Sequence, residues 1–458
     1  MNSYKREWLF DGGGLEKYMK YVIVLGDGMA DRPIAELENK TPLEYAKTPY
    51  MDSLAQKGEV GLVHTIPEGM KPGSDTANLS VIGYNPKKYY SGRSPLEALS
   101  IGVPMKDTDV ALRCNIVTLS EEEDAYEKRH MIDHSSDEIS TEDAAILLEA
   151  VKKELENDMF KFYVGTSYRH CLIWDKGEVV ELSQPHDILE QCIEAYVPTN
   201  FGAKSFEENP DLDEEKVKSM KEGYELLYDM MKKSYDILVN HPINVERRAK
   251  GLHPANSCWF WGAGTKPALS SFEEKTGKKG AMISAVDLLK GIAVGASMQV
   301  IEVEGANGGL HTNYEGKAQA AIDVLLGKES IVDENGNILK KDAEPCDFVY
   351  VHLEAPDEMG HQGSVERKVK AIEYLDERIV KPIAEGLAAA GEDFRMLILP
   401  DHPTPICIRT HSSEPVPYVL YDSTNEQQNT WNYNEKEAEA SGNYVAEGHT
   451  IIDKLFEK

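Results

Sequence analysis

Acids and histidines follow three apolar segments of this chain, and their types and spacing favour chemistry assisted by metal ions. Asp357 and His361 stand four residues apart in EAPDEMGH, which places a carboxylate and an imidazole on one face of a helix, close enough to bind one cation. Asp401 and His402 are adjacent, and on extended backbone they would point in different directions, which suits bridging better than chelation. Asp27 follows another apolar segment in GDG.

His411 adds a third imidazole in the loop THSSEPVP, which two prolines stiffen. Taken singly, each acid or histidine is more often a helix cap or a surface group. Together, three carboxylates and three imidazoles suit two divalent cations of borderline character, such as manganese or zinc. Two such cations, about 3.5–4 Å apart, stabilise both the attacking and the leaving oxygen in phosphoryl transfer.

Ser74, in the stretch PGSDTANLS, is the candidate nucleophile. No histidine lies within nine residues of it on either side, so the sequence offers no neighbouring base. A cation at the hydroxyl would lower its pKa, and a helix N-terminus would stabilise the anion and an attached phosphoryl group. Gly73 allows close approach of the backbone, whereas Ser80 lies about two turns further along the predicted helix.

The elements that must position these residues are three short apolar runs, at Tyr21–Leu25, Asp347–Leu353 and Arg395–Leu399. Continuous rather than alternating apolar character is typical of strands that are covered on both faces in a parallel sheet. Each run ends at glycine, proline or an acid. Because ligands of open α/β sheets bind beyond the carboxyl ends of the strands, the three following loops are expected to converge.

A different, acidic region separates the first run from the other two. It contains a capped helical pattern beginning at Ser140 and strand-like segments at Phe162–Val164 and Cys171–Trp174. We therefore predict a discontinuous α/β core domain over residues 19–105 and 281–458, with a mostly parallel sheet flanked by helices. An inserted α/β domain is predicted over residues 106–280, and residues 1–18 are expected to be a leader or a mobile extension.

The composition of the chain argues against several classes of protein. The net charge of −30, from 79 acids against 49 bases, disfavours nucleic-acid binding. Six scattered cysteines without CxxC spacing indicate reduced thiols in a cytoplasmic protein. No apolar run has the length of a membrane span, so no membrane partner is expected. The sequence is compatible with a homo-oligomer.

The ordered motifs GDG, GSDTANLS, EAPDEMGH, LPDH and THSSEPVPY resemble those of the cofactor-independent phosphoglycerate mutases, in particular the archaeal-type branch of this group within the alkaline phosphatase superfamily. The resemblance covers nearly the whole chain from Met19. It implies an alkaline-phosphatase-like core with an inserted lid domain. It also implies interconversion of 3-phosphoglycerate and 2-phosphoglycerate, a step of glycolysis and gluconeogenesis, without bisphosphoglycerate.

The resemblance also implies roles for single residues. Ser74 would take the phosphoryl group from 3-phosphoglycerate, and the 2-hydroxyl of the retained glycerate would then attack phosphoserine. Mn²⁺ is the expected cation, with Zn²⁺, Co²⁺ and Mg²⁺ as alternatives. One cation would be held by Asp27, Ser74, Asp401 and His402, and the other by Asp357, His361 and His411.

The inserted domain would close over the substrate, exclude water and supply cationic groups. The candidates for binding the substrate are Arg113, Arg169, His170, Arg93 and Lys266. The alternative for each of them is a surface side chain that packs over its neighbours. His64 and His352 stand in apolar, strand-like segments and are interpreted as packed structural histidines.

One segment departs from the pattern of the family and leaves the substrate open. Residues 303–313, VEGANGGLHTN, carry His311 where an acid is expected. The first alternative is therefore a related phosphotransferase such as a homoserine kinase. A metal-dependent phosphomonoesterase is the alternative if the lid fails to exclude water, and a non-catalytic acidic binding module is the alternative if the acids and histidines are only caps and surface groups. The chain has no Walker-type loop, which weakens the case for a nucleotide-driven kinase.

Overall fold

The structure of this protein is a computed structural model that describes residues 18–208, 212–332 and 338–457. The predicted leader, residues 1–18, lies outside these ranges except for Tyr18. In the described part of the chain the strands form sheets of eight, five and two members.

The strands, in chain order, are β1 Lys20–Gly26, β2 Glu59–Val63, β3 Val110–Leu119, β4 Met131–Asp133, β5 Phe160–Thr166, β6 Arg169–Trp174, β7 Ser257–Thr265, β8 Gly280–Ile283, β9 Gln299–Val300, β10 Lys328–Val332, β11 Ile338–Asp342, β12 Phe348–Leu353, β13 Phe394–Leu399, β14 Val416–Asp422 and β15 Tyr444–Val445. The α-helices are α1 Pro42–Tyr45, α2 Pro49–Lys57, α3 Ser74–Val81, α4 Pro86–Tyr89, α5 Arg93–Ser100, α6 Thr141–Leu155, α7 Pro198–Glu208, α8 Glu214–Leu238, α9 Pro242–Ala249, α10 Phe272–Thr276, α11 Asp287–Gly295, α12 Tyr314–Leu325, α13 Ala355–His361, α14 Val365–Leu375, α15 Lys381–Ala389, α16 Glu435–Ser441 and α17 Ile451–Phe456. Short 3₁₀ helices lie at Ala35–Leu37, Tyr126–Lys128, Pro185–Ile188, Ile193–Ala195 and Gly448–Thr450, and a π turn over Asp376–Val380 joins α14 to α15.

The eight-stranded sheet has the order β15-β2-β14-β13-β1-β12-β8-β9. Its pairs are parallel except for β13 with β14 and β14 with β2. The central strand β1 is parallel to both neighbours, so that Leu25 lies opposite His352 on one side and Leu399 on the other. The three apolar runs of the sequence are therefore adjacent parallel strands, as predicted.

Helices cover both faces of this sheet. Val22 and Val24 belong to a core that includes residues of α12, α14 and α15. Tyr21, Ile23 and Leu25 alternate with them and belong to a second core, which includes residues of α3, α11 and α17. Alternate residues of a strand point to opposite faces, so β1 needs apolar side chains at every position. The predicted α/β class, with a mostly parallel sheet flanked by helices, is confirmed.

The five-stranded sheet is built from segments between residues 110 and 265. β3 pairs with β4, β6 and β7, β5 pairs with β6, and all of these pairs are antiparallel. Its core contains residues of α6 and α8, and α6 begins where predicted, with Ser140 as its N-cap. These strands fall inside the predicted insertion of residues 106–280, although Gly280 itself belongs to β8 of the larger sheet. The division into two domains remains a prediction.

None of the helices in the described ranges is both long enough and apolar enough to cross a membrane.

Candidate active site

The carboxyl ends of β1, β12 and β13 bring three aspartates together at one edge of the large sheet. Asp27 follows β1 directly, Asp357 lies on α13 just after β12, and Asp401 follows β13 by one residue. Because the three strands are adjacent and parallel, the loops that follow them meet at one place. All three side chains are buried.

Ser74 is the first residue of α3, and its hydroxyl lies at this edge. Its Oγ is 3.2 Å from Nε2 of His402 and 3.5 Å from Oδ2 of Asp27. The residue before it, Gly73, is the N-cap and makes no side-chain cap, and the N–H of Thr76 donates to Oδ1 of Asp75 at 2.8 Å. Ser74 is half-buried, whereas the alternative Ser80 is fully buried. Between the two serines, the geometry favours Ser74.

One group of ligand atoms is formed by Asp27, Asp401 and His402, whose side chains offer atoms within 4.8 Å of one another. Nε2 of His402 lies 3.6 Å from Oδ1 of Asp27 and 3.4 Å from Oδ2 of Asp401. The expectation that Asp401 and His402 point in different directions is wrong. The backbone bends at these two residues instead of remaining extended, and their side chains turn towards the same point.

A second group joins the first through His402. Asp357, His402 and His411 also offer ligand atoms within 4.8 Å of one another. His361 lies on α13 four residues after Asp357, with Nε2 3.2 Å from Oδ2 of that residue, as the spacing predicted. Nε2 of His361 is 3.0 Å from Nε2 of His411. Two imidazole nitrogens facing each other beside a buried carboxylate form a donor set that suits a cation.

The ionisable side chains of this cluster shift one another's pKa values strongly. Burial, followed by the charges of Asp401 and Asp357, raises the pKa of Asp27 well above its ordinary value. Burial acts in the same direction on Asp357, but hydrogen bonds with His361 and His411 outweigh it and hold the pKa of Asp357 well below its usual range. The hydrogen bond to Asp357 raises the pKa of His361 to about 9. Crowded buried carboxylates of this kind ionise readily when positive charge lies among them.

Several supporting residues were not predicted. Gly28 donates its backbone N–H to Oδ1 of Asp401, at 3.1 Å, and Asn78 donates from Nδ2 to Oδ2, at 2.9 Å. Asn78 stands one helical turn after Ser74, so its position on the helix was a usable signal. Gly28 has a φ of +58°, and a Cβ there would lie 2.6 Å from Oδ1 of Asp357, so only glycine fits. Thr404 donates its hydroxyl to the same Oδ1.

His352 is also part of the site. It is fully buried, as predicted for a packed histidine, but its Nε2 lies 2.9 Å from Oδ2 of Asp27. Burial lowers the pKa of His352 to about 3, and the charge of Lys317 acts in the same direction, so the ring is neutral. His64 was also interpreted as a packed structural histidine. Its ring contacts the carbonyl oxygen of Ser413.

A buried ion pair supports the loop after β13. Nζ of Lys368 donates to Oδ2 of Asp31 at 2.7 Å and to the carbonyl oxygen of Thr404 at 2.8 Å. The two charged side chains are 0% and 1% exposed. Lys368 thereby holds the backbone of the residue whose hydroxyl contacts Asp357.

Replacing Lys368 by methionine is expected to lower the free energy of unfolding by about 3–5 kcal/mol, because the carboxylate of Asp31 would remain buried without its cation. Urea denaturation followed by circular dichroism measures this loss. The control is Lys370→Met, two residues along α14, where the side chain is 47% exposed and pairs with Glu373. That change is expected to stay within about 0.5 kcal/mol. Equal stability of the two variants would contradict the prediction.

Two of the predicted substrate-binding arginines share one glutamate. Nε of Arg93 lies 2.9 Å from Oε1 of Glu97, and Nε of Arg113 lies 2.6 Å from Oε2. Burial opposes ionisation of Glu97, but the charges of Arg113 and Arg93 outweigh it, and the pKa of Glu97 falls below its ordinary value. The guanidinium of Arg113 also lies over the ring of Trp261, at 4.4 Å. Glu97 was not predicted.

Arg113, Arg169 and His170 line one cavity, between β3, β6 and α5. His170 is buried, its Nδ1 accepts the N–H of Gly165 at 3.1 Å, and its Nε2 has no hydrogen-bond partner in the described part of the chain. A lone buried nitrogen beside two arginines suits an anionic or hydroxylated ligand. Lys266 lies apart from this group and pairs with the exposed Asp107 at 3.4 Å.

The stability of the protein is expected to depend on pH through His170. Burial lowers the pKa of its imidazole from 6.5 to about 4. Below pH 6.5 the unfolded chain binds a proton that the folded protein does not, so the free energy of unfolding falls as the pH decreases towards 4, by up to about 3 kcal/mol from this residue. His170→Asn removes the titrating group, and its amide oxygen can still accept the N–H of Gly165.

Urea denaturation of both proteins between pH 7 and pH 4.5 measures this contribution. We expect the wild type to lose more stability than His170→Asn across this range. Parallel curves would show that His170 titrates normally in the folded protein.

Comparison with known proteins shows which family this chain resembles. A model of the family described as 2,3-bisphosphoglycerate-independent phosphoglycerate mutase matches residues 55–244. A curated protein of that name from Methanosarcina barkeri is 47% identical over 405 residues, which cover 88% of this chain and 90% of that relative. A probable mutase of the same description from Geobacter sulfurreducens is 42% identical, over 96% of this chain and 100% of its own length.

Two solved structures share the fold of this chain. A protein from Pyrococcus horikoshii superposes with a TM-score of 0.73 at 30% identity, covering 96% of this chain and 97% of that one. A cofactor-independent phosphoglycerate mutase from Thermoplasma acidophilum has a TM-score of 0.62 at 24% identity over 96% of this chain and 99% of its own, which supports the fold. Since relatives of one description match nearly end to end, this chain belongs to the family of 2,3-bisphosphoglycerate-independent phosphoglycerate mutases.

Proposed function

We propose that this enzyme interconverts 3-phosphoglycerate and 2-phosphoglycerate through a phosphoserine at Ser74, as an isomerase that needs no bisphosphoglycerate. The observation that carries the proposal is the position of the Ser74 hydroxyl, 3.2 Å from His402 and 3.5 Å from Asp27, at the start of α3. The substrate is a small phosphorylated hydroxy acid. Relatives at 47% and 42% identity bear the name of this activity.

The residues at the sheet edge fit two divalent cations. Oδ1 of Asp27 is buried and has no hydrogen-bond partner in the described ranges, and a cation would satisfy it. Mixed imidazole and carboxylate donors suit Mn²⁺, with Zn²⁺, Co²⁺ and Mg²⁺ as alternatives. We keep the ligand assignment that the family resemblance implies. One cation is held by Asp27, Ser74, Asp401 and His402, and the other by Asp357, His361 and His411. Bound cations would lower the pKa of the Ser74 hydroxyl and stabilise negative charge on the transferring phosphoryl group.

The protein contributes the nucleophile and its placement. The bond from Ser74 Oγ to phosphorus forms as the bond from phosphorus to the 3-oxygen breaks, and the 3-oxygen takes up a proton. The 2-hydroxyl then attacks the phosphoserine, releases its proton and frees Ser74, so the complete cycle is balanced in protons. Backbone amides at the start of α3 stabilise the phosphoryl group, and Asn78 holds the helix against Asp401.

Arg93, Arg113, Arg169 and His170 are the proposed contacts for the carboxylate and hydroxyl groups of the substrate. One hydrogen bond links the residue next to the nucleophile with the segment that leads to Arg93. Tyr90 donates its hydroxyl to Asp75, the neighbour of Ser74, at 2.7 Å. Three residues after Tyr90, Arg93 begins α5. Because Glu97 occupies both Arg93 and Arg113, an incoming carboxylate must compete with it for these cations. Among the described residues, Lys266 pairs only with Asp107, which does not support the same role.

The six cysteines are free thiols, which supports a cytoplasmic location, and we place the reaction in glycolysis and gluconeogenesis. A homo-oligomer remains compatible with the proposal. The side chain of His311 is exposed, and within the described ranges no hydrogen bond or ion pair joins it to the groups named above, so it supports no second function.

The test is to incubate the purified full-length protein and Mn²⁺ with 3-phosphoglycerate and to follow the products by ³¹P NMR. The expected result is 2-phosphoglycerate at equilibrium with 3-phosphoglycerate and no inorganic phosphate. Accumulation of inorganic phosphate would indicate a phosphomonoesterase, and phosphorylation of homoserine in place of isomerisation would indicate the kinase. Failure to bind any divalent cation would favour the non-catalytic module.

A further inference from the structure

His352 belongs to β12, and its buried ring joins two side chains that come from distant parts of the chain. Nε2 is 2.9 Å from Oδ2 of Asp27, 325 residues away. Nδ1 is 3.1 Å from Oγ of Ser284, in the loop that follows β8. The ring is therefore held at both nitrogens.

The contact with Asp27 determines which nitrogen carries the proton, because an ionised carboxylate only accepts and the ring nitrogen that faces it must donate. The backbone N–H of Val286 donates to Oγ of Ser284 at 3.0 Å, and an amide can only donate. The serine hydroxyl keeps its hydrogen, and with the ring proton on Nε2 it donates that hydrogen to Nδ1 of His352. In a neutral ring the proton then lies on Nε2 and points at Asp27.

This bond leaves the two oxygens of the Asp27 carboxylate in different situations. Oδ2 accepts the N–H of His352 and lies 3.5 Å from the hydroxyl of Ser74. Oδ1 is buried without a hydrogen-bond partner in the described ranges, and lies 3.6 Å from Nε2 of His402. Rotation of the carboxylate would break the bond to His352, so Oδ1 is held towards the ligand cluster.

We infer that His352, fixed by Ser284, is a positioning residue that orients the Asp27 carboxylate and presents its Oδ1 to a cation. In many metal sites a carboxylate orients a metal-binding histidine, and here the roles are reversed. The backbone of His352 is itself fixed, because the buried Lys317 donates from Nζ to its carbonyl oxygen at 3.0 Å. The inference rests on the proposed function, since it takes Asp27 as a ligand.

Calorimetric titration of the metal-free, full-length protein with Mn²⁺ tests the inference independently of activity. His352→Leu fills the space but cannot donate to Asp27, and it is expected to weaken one of the Mn²⁺ sites by about 10- to 100-fold. His352→Gln keeps a donor near the position of Nε2 and is expected to bind Mn²⁺ more tightly than His352→Leu. Wild-type affinity in His352→Leu would overturn the inference.

A second measurement applies if His352→Leu does not fold. In ¹⁵N NMR of the metal-free protein labelled at histidine, His352 is expected to be the neutral tautomer with the proton on Nε2. Ser284→Ala removes the donor to Nδ1, so the tautomers should mix and Mn²⁺ should bind more weakly. A proton on Nδ1 in the wild type would overturn the inference.

The control is His449→Gln, near the C-terminal helix, where the ring pairs with Glu447 and, within the described ranges, makes no hydrogen bond or ion pair with a proposed metal ligand. It should bind Mn²⁺ like the wild type. If the wild type binds two Mn²⁺ and His352→Leu does so equally well, only this inference fails. If the wild type binds no Mn²⁺, the proposed function fails and the inference fails with it.

Discussion

Ser74→Ala is expected to lower kcat for the conversion of 3-phosphoglycerate to 2-phosphoglycerate by at least about 10⁴-fold, because the covalent route loses its nucleophile. The hydroxyl of Thr404 also lies in the site, but it is donated to Asp357. Ser80 is on the same helix, but its Oγ is buried without a partner in the described part of the chain. Mn²⁺ binding should weaken only partly, since the carboxylates and imidazoles of the cluster remain. A coupled assay with enolase measures kcat.

Ser80→Ala is the matched control, on the same helix and with the same loss of one hydroxyl. Removing a buried hydroxyl that makes no hydrogen bond is expected to leave stability and kcat close to wild type. Acid quenching followed by mass spectrometry should detect phosphate on the peptide that contains Ser74 in the wild type and in Ser80→Ala. Phosphate on another residue, or substantial turnover by Ser74→Ala, would show that Ser74 is not the nucleophile.

His402→Gln is expected to have the second-largest effect, because His402 is the side chain common to both groups of ligand atoms. It is fully buried, so water cannot easily substitute for its imidazole. Metal stabilisation of a phosphoryl-transfer transition state is worth several kcal/mol, so kcat should fall by about 10³-fold or more. Mass spectrometry of the dialysed protein should show fewer Mn²⁺ ions per chain than in the wild type.

The comparison for this variant is again His449→Gln, which should keep the wild-type metal content and kcat. Circular dichroism would show whether His402→Gln remains folded. A folded His402→Gln protein with full metal content would mean that His402 is not a ligand. If the variant keeps its full metal content but kcat falls strongly, His402 would instead act on the Ser74 hydroxyl, whose Oγ lies 3.2 Å from its ring.

The sequence by itself determined where the candidate site lies along the chain. Continuous apolar runs marked β1, β12 and β13, since strands buried on both faces need apolar residues at every position. Asp27, Asp357 and Asp401 follow these runs, and the rule that ligands bind beyond the carboxyl ends of parallel strands was enough to place them together. The four-residue spacing on α13 and the position of Ser74 at the start of a helix are local features, so they too were predictable.

Only the tertiary structure decided how these residues are supported. The contact between His352 and Asp27 depends on the register of β12 against β1, and the ion pair of Lys368 with Asp31 depends on the packing of α14. Arg93 and Glu97 are four residues apart on α5, but Glu97 could not be assigned to Arg113 before α5 was placed against β3. Such contacts join residues far apart in the chain and leave no periodic pattern in it, because they follow from how whole elements pack, whereas periodicity reports only which face of one element is buried.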